Sequence, residues 1–143
     1  MATDQYTLDG LVVSAKRYRT GRESDISPID LALAWGFLTR KPNIYKVKYF
    51  QSGRWYLYIY FNMSKQNIVN NSANTHIVIS PEDESVKELL FNIKRGDSVH
   101  LSGYLINVIA TDGWRWSSSR SRSDSGNHSC ELFYVTEAKL IYF

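Results

Sequence analysis

Seven consecutive residues, Trp55-Tyr56-Leu57-Tyr58-Ile59-Tyr60-Phe61, are all aromatic or aliphatic. Aromatic and β-branched side chains favour extended backbone, and successive side chains of a strand point to opposite faces. The run therefore reads as a strand without a polar face. Either it is covered on both sides, or its tyrosine face is exposed. Ile44–Phe50 reads as its partner, and Gln51-Ser52-Gly53-Arg54 as the hairpin turn between them.

The rest of the chain supports a mostly β fold. Ten Tyr, six Phe and four Trp make up 14% of 143 residues. With 43% hydrophobic and 22% charged residues, wholesale disorder, a collagen-like chain and a coiled coil are excluded. The length is that of one domain, 1–143. Tyr6–Ser14, Thr75–Ile79, a long segment from Asp97, Trp114-Arg115-Trp116, Glu131–Val135 and Ala138–Tyr142 read as further strands. Gly103 marks a bend or bulge. The last two segments read either as separate strands or as one long strand with an irregularity.

Two helices are expected. Ser27-Pro28-Ile29-Asp30 has the grammar of a helix start, with Gly36 as the stop. Lys16–Glu23 before it reads as a basic loop. Pro81–Ile93 carries Val86, Leu89, Leu90 and Ile93 at helical spacing. Ser64–Asn74 reads as a loop or a short helix. A helix between strands three and four is the plan of the oligonucleotide/oligosaccharide-binding (OB) barrel. The expected fold is thus mostly β and OB-like, with one short N-terminal helix and one helix between strands three and four.

Charge and cysteine content narrow the function classes. The net charge is +3. Residues 1–60 hold nine Lys/Arg against five Asp/Glu, and residues 61–143 hold eight against nine, so positive charge gathers at the front. One cysteine, Cys130, excludes an intrachain disulfide and a four-cysteine zinc site. No cofactor or metal is expected, because His76, His100 and His128 lack metal-ligand spacing. The N-terminus has no signal-peptide pattern, and no apolar run is long enough for a membrane span.

Three constellations carry chemistry. The first is the loop Ser117–Gly126, where Arg120, Arg122 and Asp124 stand among serines. Two arginines amid hydroxyls suit an anion, and Arg122 with Asp124 equally suits a tied solvated loop. Trp114 and Trp116 share a strand face near it, suited either to stacking or to a core layer. With Asn74 and His76 these residues make the candidate ligand site. Second, Lys46, Lys48 and Arg54 beside Tyr56 and Tyr58 form a basic-aromatic hairpin, which suits single-stranded nucleic acid. Third, His76, Asp124 and Cys130 supply a base, an orienter and a nucleophile for a small hydrolase.

Several phrases together resemble a family of uncharacterised bacterial proteins. They are Ser27-Pro28-Ile29-Asp30-Leu31-Ala32-Leu33-Ala34-Trp35-Gly36, Gln51-Ser52-Gly53-Arg54-Trp55-Tyr56, Ser72-Ala73-Asn74-Thr75-His76, Arg95-Gly96-Asp97 through Gly103-Tyr104-Leu105, Asp112-Gly113-Trp114-Arg115-Trp116, and Arg122-Ser123-Asp124-Ser125-Gly126 with Cys130-Glu131. The resemblance spans about Tyr6–Leu140. It points to Asp30, Trp35, Asn74, His76, Arg122, Asp124, Cys130 and Glu131. Family members often carry a hydrophobic N-terminal anchor, which implies the cell envelope, on the periplasmic side. This chain lacks such an anchor, through which alone contact with a membrane is expected. It also has Asn127-His128-Ser129 where the family tends to have a glycine-rich run. The resemblance implies no activity. The expectation is a non-enzymatic binding module of the envelope, with an unknown protein or a small anionic ligand as partner. A single-stranded nucleic-acid binder and the hydrolase are the alternatives.

Overall fold

The computed structural model describes residues 2–117 and 131–141. The chain is mostly sheet. Its strands are β1 (Ala2–Arg17), β2 (Ile29–Ala34), β3 (Val47–Ser52), β4 (Trp55–Tyr60), β5 (Ser72–Ile79), β6 (Ser98–Ile109), β7 (Arg115–Ser117) and β8 (Glu131–Leu140). The helices are α1 (Arg22–Ile26), α2 (Lys65–Asn71) and α3 (Glu84–Phe91). The main sheet is ordered β1-β2-β5-β8-β6-β7, and β1 also pairs with β6. The pairings of β1, β2, β5, β8 and β6 therefore return to their starting strand. All are antiparallel except β5 with β8.

One expectation is corrected. Ser27–Trp35 is not a helix, because Ile29–Ala34 is a strand buried along its whole length. Ile29, Leu31 and Leu33 point into the main core, whereas Asp30, Ala32 and Ala34 face the other way. The Leu-Ala-Leu-Ala alternation supplies a large residue for one side and a small one for the other. Burial on both faces overrides the helix propensity of Leu and Ala. A short helix lies earlier, at α1, which begins within the expected loop Lys16–Glu23 and runs on to Ile26, and β1 takes Lys16 and Arg17 from the other end of that segment. The other helix is where the pattern put it, after β5 and before β6. Asp83 caps it, its side chain accepting from the Val86 backbone N–H at 3.2 Å.

Two apolar cores share β2. The first holds Val12, Leu31, Ile77, Leu101 and Phe133, closed at one end by Val86, Leu90 and Ile93. The second holds Val13, Ala32, Ala34, Leu38, Val47, Tyr49 and Ile68. β1 serves both. Its register against β2 slips between Val12 and Ser14, so Val12 enters the first core while Val13 enters the second.

The β3–β4 hairpin forms its own two-stranded sheet over the outer side of β2. Val47, Tyr49 and Gln51 face inward, opposite Tyr60, Tyr58 and Tyr56. Lys48, Phe50 and Ser52 face outward, opposite Ile59, Leu57 and Trp55. The tyrosine side of the apolar run is thus the covered side, and the Trp-Leu-Ile side is exposed. Burial pushes the Tyr49 hydroxyl up to about 12, with Tyr56 adding to the effect.

Gly103 behaves as its position suggested. The register of β6 against β8 shifts between Ser102 and Gly103, and a Cβ there would lie 1.9 Å from the Tyr134 carbonyl oxygen. β8 is one strand, the second of the two readings of its sequence. We predict that Gly103→Ala lowers stability by about 3 kcal/mol or more, because backbone must move. Urea denaturation measures this; a loss under about 1 kcal/mol would mean that the β6–β8 contact yields easily.

Candidate functional site

Asp30 is the only charged residue of β2, and its side chain is fully buried. His76 on β5 stands directly across from it. Asp30 Oδ1 accepts from His76 Nδ1 at 2.7 Å and from Arg54 Nη1 at 2.7 Å. A carboxylate can only accept here, so the histidine proton sits on Nδ1. Asp30 Oδ2 is buried and makes no hydrogen bond among the described residues.

Arg54 comes from the hairpin turn and is held through both guanidinium amino groups and through its backbone N–H and carbonyl. Its Nη2 donates to the Ser27 carbonyl at 2.7 Å. Its guanidinium lies 3.7 Å over the Tyr18 ring and 5.4 Å from the Trp116 ring. The Arg54 backbone N–H donates to the Tyr18 hydroxyl at 3.1 Å, and its carbonyl accepts from Asn74 Nδ2 at 3.0 Å. Asn74 Oδ1 in turn accepts from Gln51 Nε2 at 2.9 Å. Burial, and then the charge of Asp30, raise the Tyr18 hydroxyl above its ordinary pKa.

The backbone at this turn is itself informative. Gly53 and Arg54 have φ of 55° and 74°. A two-residue hairpin loop with both φ positive matches the twist of the strands, and the second position favours glycine or asparagine. An arginine there costs about 1 kcal/mol in backbone strain. The side-chain contacts offset that strain, so the residue is kept for its guanidinium.

The candidate ligand residues divide. Asn74, His76 and Trp116 come together: the His76 ring packs on Trp116 at 5.1 Å, and Trp114 meets Trp116 edge-on at 6.1 Å. Both tryptophans share a face and are half-buried, with Arg115 exposed between them. Arg120, Arg122 and Asp124 lie outside the described residues, as do His128 and Cys130. The hydrolase residues therefore meet the structure only at His76, whose observed orienter is Asp30. Arg54 shares that same carboxylate oxygen and offsets its charge.

Of the residues assigned to nucleic acid, Lys48 is exposed on the outer face of the hairpin. Lys46 is half-buried at the base, where its carbonyl accepts from the Phe61 N–H at 3.2 Å. Tyr56 and Tyr58 are half-buried on the inner face, 5.6 Å apart, and pack on the second core. The Tyr56 hydroxyl lies 3.3 Å from Ser72 Oγ. Glu131, at the start of β8, is buried and accepts from the Tyr6 hydroxyl at 2.8 Å. Trp35 is partly buried against the first core. His100 is bonded to Asp9 and lies 3.5 Å from Glu137. Among the described residues no cluster of His, Cys, Asp and Glu could hold a metal ion.

Sequence reasoning missed the role of Arg54 as the partner of Asp30. A signal was present: Asp30 is the one ionised group in an apolar segment, and a buried charge requires a partner. No protein-family model matches the chain, and no curated protein matches it.

The cluster makes a quantitative prediction. Arg54→Met leaves Asp30 buried without its cation and is expected to cost about 3–5 kcal/mol. The double variant Asp30→Leu/Arg54→Met is expected to cost less than the sum of the two single variants by at least about 1 kcal/mol. Urea unfolding of the four proteins measures the coupling, and additive losses would contradict the pairing.

Proposed function

We propose that this chain is a non-enzymatic binding module of the bacterial cell envelope, built on an OB-type barrel, and that it binds through the outer face of its hairpin. A five-strand circuit with α3 between its third and fourth members in chain order supports that barrel type. In such barrels ligands bind the face of strands two and three. Here the corresponding strands are β2 and β5, and their outer face carries Asp30, Asn74 and His76 beneath the chain's own hairpin. The compartment follows from the resemblance of the Ser27–Gly36 and Ser72–His76 phrases to a family of uncharacterised bacterial proteins whose members often carry an N-terminal anchor.

One observation carries the proposal. Phe50, Trp55, Leu57, Ile59 and Phe61 are between 43% and 65% exposed and belong to one hairpin. Scattered apolar residues on a surface are ordinary, but a contiguous group marks an interaction site. The inner face of the hairpin is locked to the body through Arg54, so the outer face is presented in a fixed orientation.

A second reading, single-stranded nucleic acid, has its own support. Residues 31–81 contain six Lys/Arg and no Asp or Glu. Such a surface attracts polyanions, with strong salt dependence. Of the two cations of the hairpin strands and turn, however, Arg54 is turned inward onto Asp30, and Lys48 alone rises from the exposed face, which favours the first reading.

The apolar dye bis-ANS tests the surface. The folded protein is expected to bind it, and the Leu57→Ser/Ile59→Ser variant is expected to lose most of that binding at an unchanged melting temperature. Dye binding that persists in the folded variant would move the binding surface elsewhere.

A further inference from the structure

We infer that the outer face of the β3–β4 hairpin docks directly onto an anionic lipid surface, with its apolar residues entering the headgroup region and its lysines meeting lipid phosphates. The inference rests on the reading of that face as the binding surface and names its occupant.

The chemistry of the face is interfacial. Trp55 lies at the turn, Phe50 and Leu57 stand opposite each other in the middle, Ile59 follows, and Phe61 is at the base, where Tyr45 is also exposed. Aromatic rings with one apolar and one wet side are enriched at membrane–water boundaries. Lys48 rises from the same face, opposite Ile59. A lysine stem can lie along apolar surface while its ammonium reaches outward to phosphate. Arg40 and Lys41, both exposed, belong to the turn leading to Tyr45.

Charge complementarity selects this occupant. The acid-free stretch of residues 31–81 includes the whole hairpin and both of its flanks. A second copy would set Lys48 and its neighbours against their like. Its area is also small for a stable dimer: five half-exposed large side chains offer about 500 Å² against about 800 Å² per partner in a typical interface. A lipid surface needs no matching shape, only an apolar ridge at headgroup depth and nearby cations. The two-stranded sheet provides the ridge, and its rigid attachment spares the ordering cost of a flexible loop.

The test is co-sedimentation of the full chain with phosphatidylglycerol/phosphatidylethanolamine vesicles at about 0.15 M salt, beside phosphatidylcholine vesicles. Binding is expected to be at least about tenfold stronger on the anionic vesicles. Leu57→Ser/Ile59→Ser is expected to lower it at least about tenfold, and Lys48→Glu about threefold or more. A blue shift of tryptophan emission on binding is expected to disappear in Trp55→Phe. No sedimentation with anionic vesicles overturns the inference, as does sedimentation unchanged by both variants. If bis-ANS binds the face and vesicles do not, the surface reading stands and the lipid occupant falls. A concentration-dependent dimer abolished by Leu57→Ser/Ile59→Ser would assign the face to a second copy. A labelled single-stranded oligonucleotide bound through the same residues, without vesicle binding, would assign it to nucleic acid.

Discussion

A carboxylate buried between two layers of sheet must be compensated, and Asp30 is such a group. Its strand is covered on both faces, so water cannot solvate the charge, and an uncompensated ion there costs several kcal/mol. The compensation comes from another layer. Arg54, at the tip of the β3–β4 hairpin, reaches back to Asp30, to the Ser27 carbonyl and to the Tyr18 ring. His76 fills the same oxygen from the neighbouring strand. One ionised side chain thereby ties a hairpin, two strands and the segment between β1 and β2 into a single arrangement.

The sidedness of the hairpin follows from that tie. Once Arg54 is drawn inward, the alternation of the strand sends Tyr56 and Tyr58 toward the body and Trp55, Leu57 and Ile59 toward solvent. Ala32 and Ala34 leave room for the covered side, and Val13, displaced outward by the slip in β1, packs beneath it. An apolar surface that would be a hazard on a loose segment becomes a fixed, presented face. Lys48 rises from that face and no acid lies in the same stretch of chain, which gives the hairpin's outer side a positive charge and hence a preference among partners.

Much of the fold was legible in the sequence. The hairpin, α3 and the bend at Gly103 announced themselves through alternation, helical spacing and a glycine that no side chain could replace. Ile29–Ala34 did not, because a strand buried on both faces loses the polar alternation that marks it, and Ser27-Pro28 imitates a helix start. For Trp55–Phe61 the sequence suggested cover on both sides or an exposed tyrosine face, and neither holds: the tyrosines face inward and Trp55, Leu57 and Ile59 outward, since that choice depends on where Arg54 is drawn. The site was half legible. Asn74, His76 and Trp116 were singled out and do converge. Arg54 was assigned to a polyanion, because no local pattern tells that an arginine will be folded back onto an acid 24 residues earlier.

The central claim is that Arg54 fixes the hairpin over β2 and β5. Amide hydrogen exchange of the wild-type protein and of Arg54→Met tests it most directly, read as the ratio of exchange in β3–β4 to exchange in β2 and β5. The ratio discounts the general loss of stability. The account predicts that the ratio rises by at least about tenfold in the variant, as the hairpin opens on its own. A ratio unchanged from the wild type would show that the hairpin holds its place without Arg54, and would contradict the account.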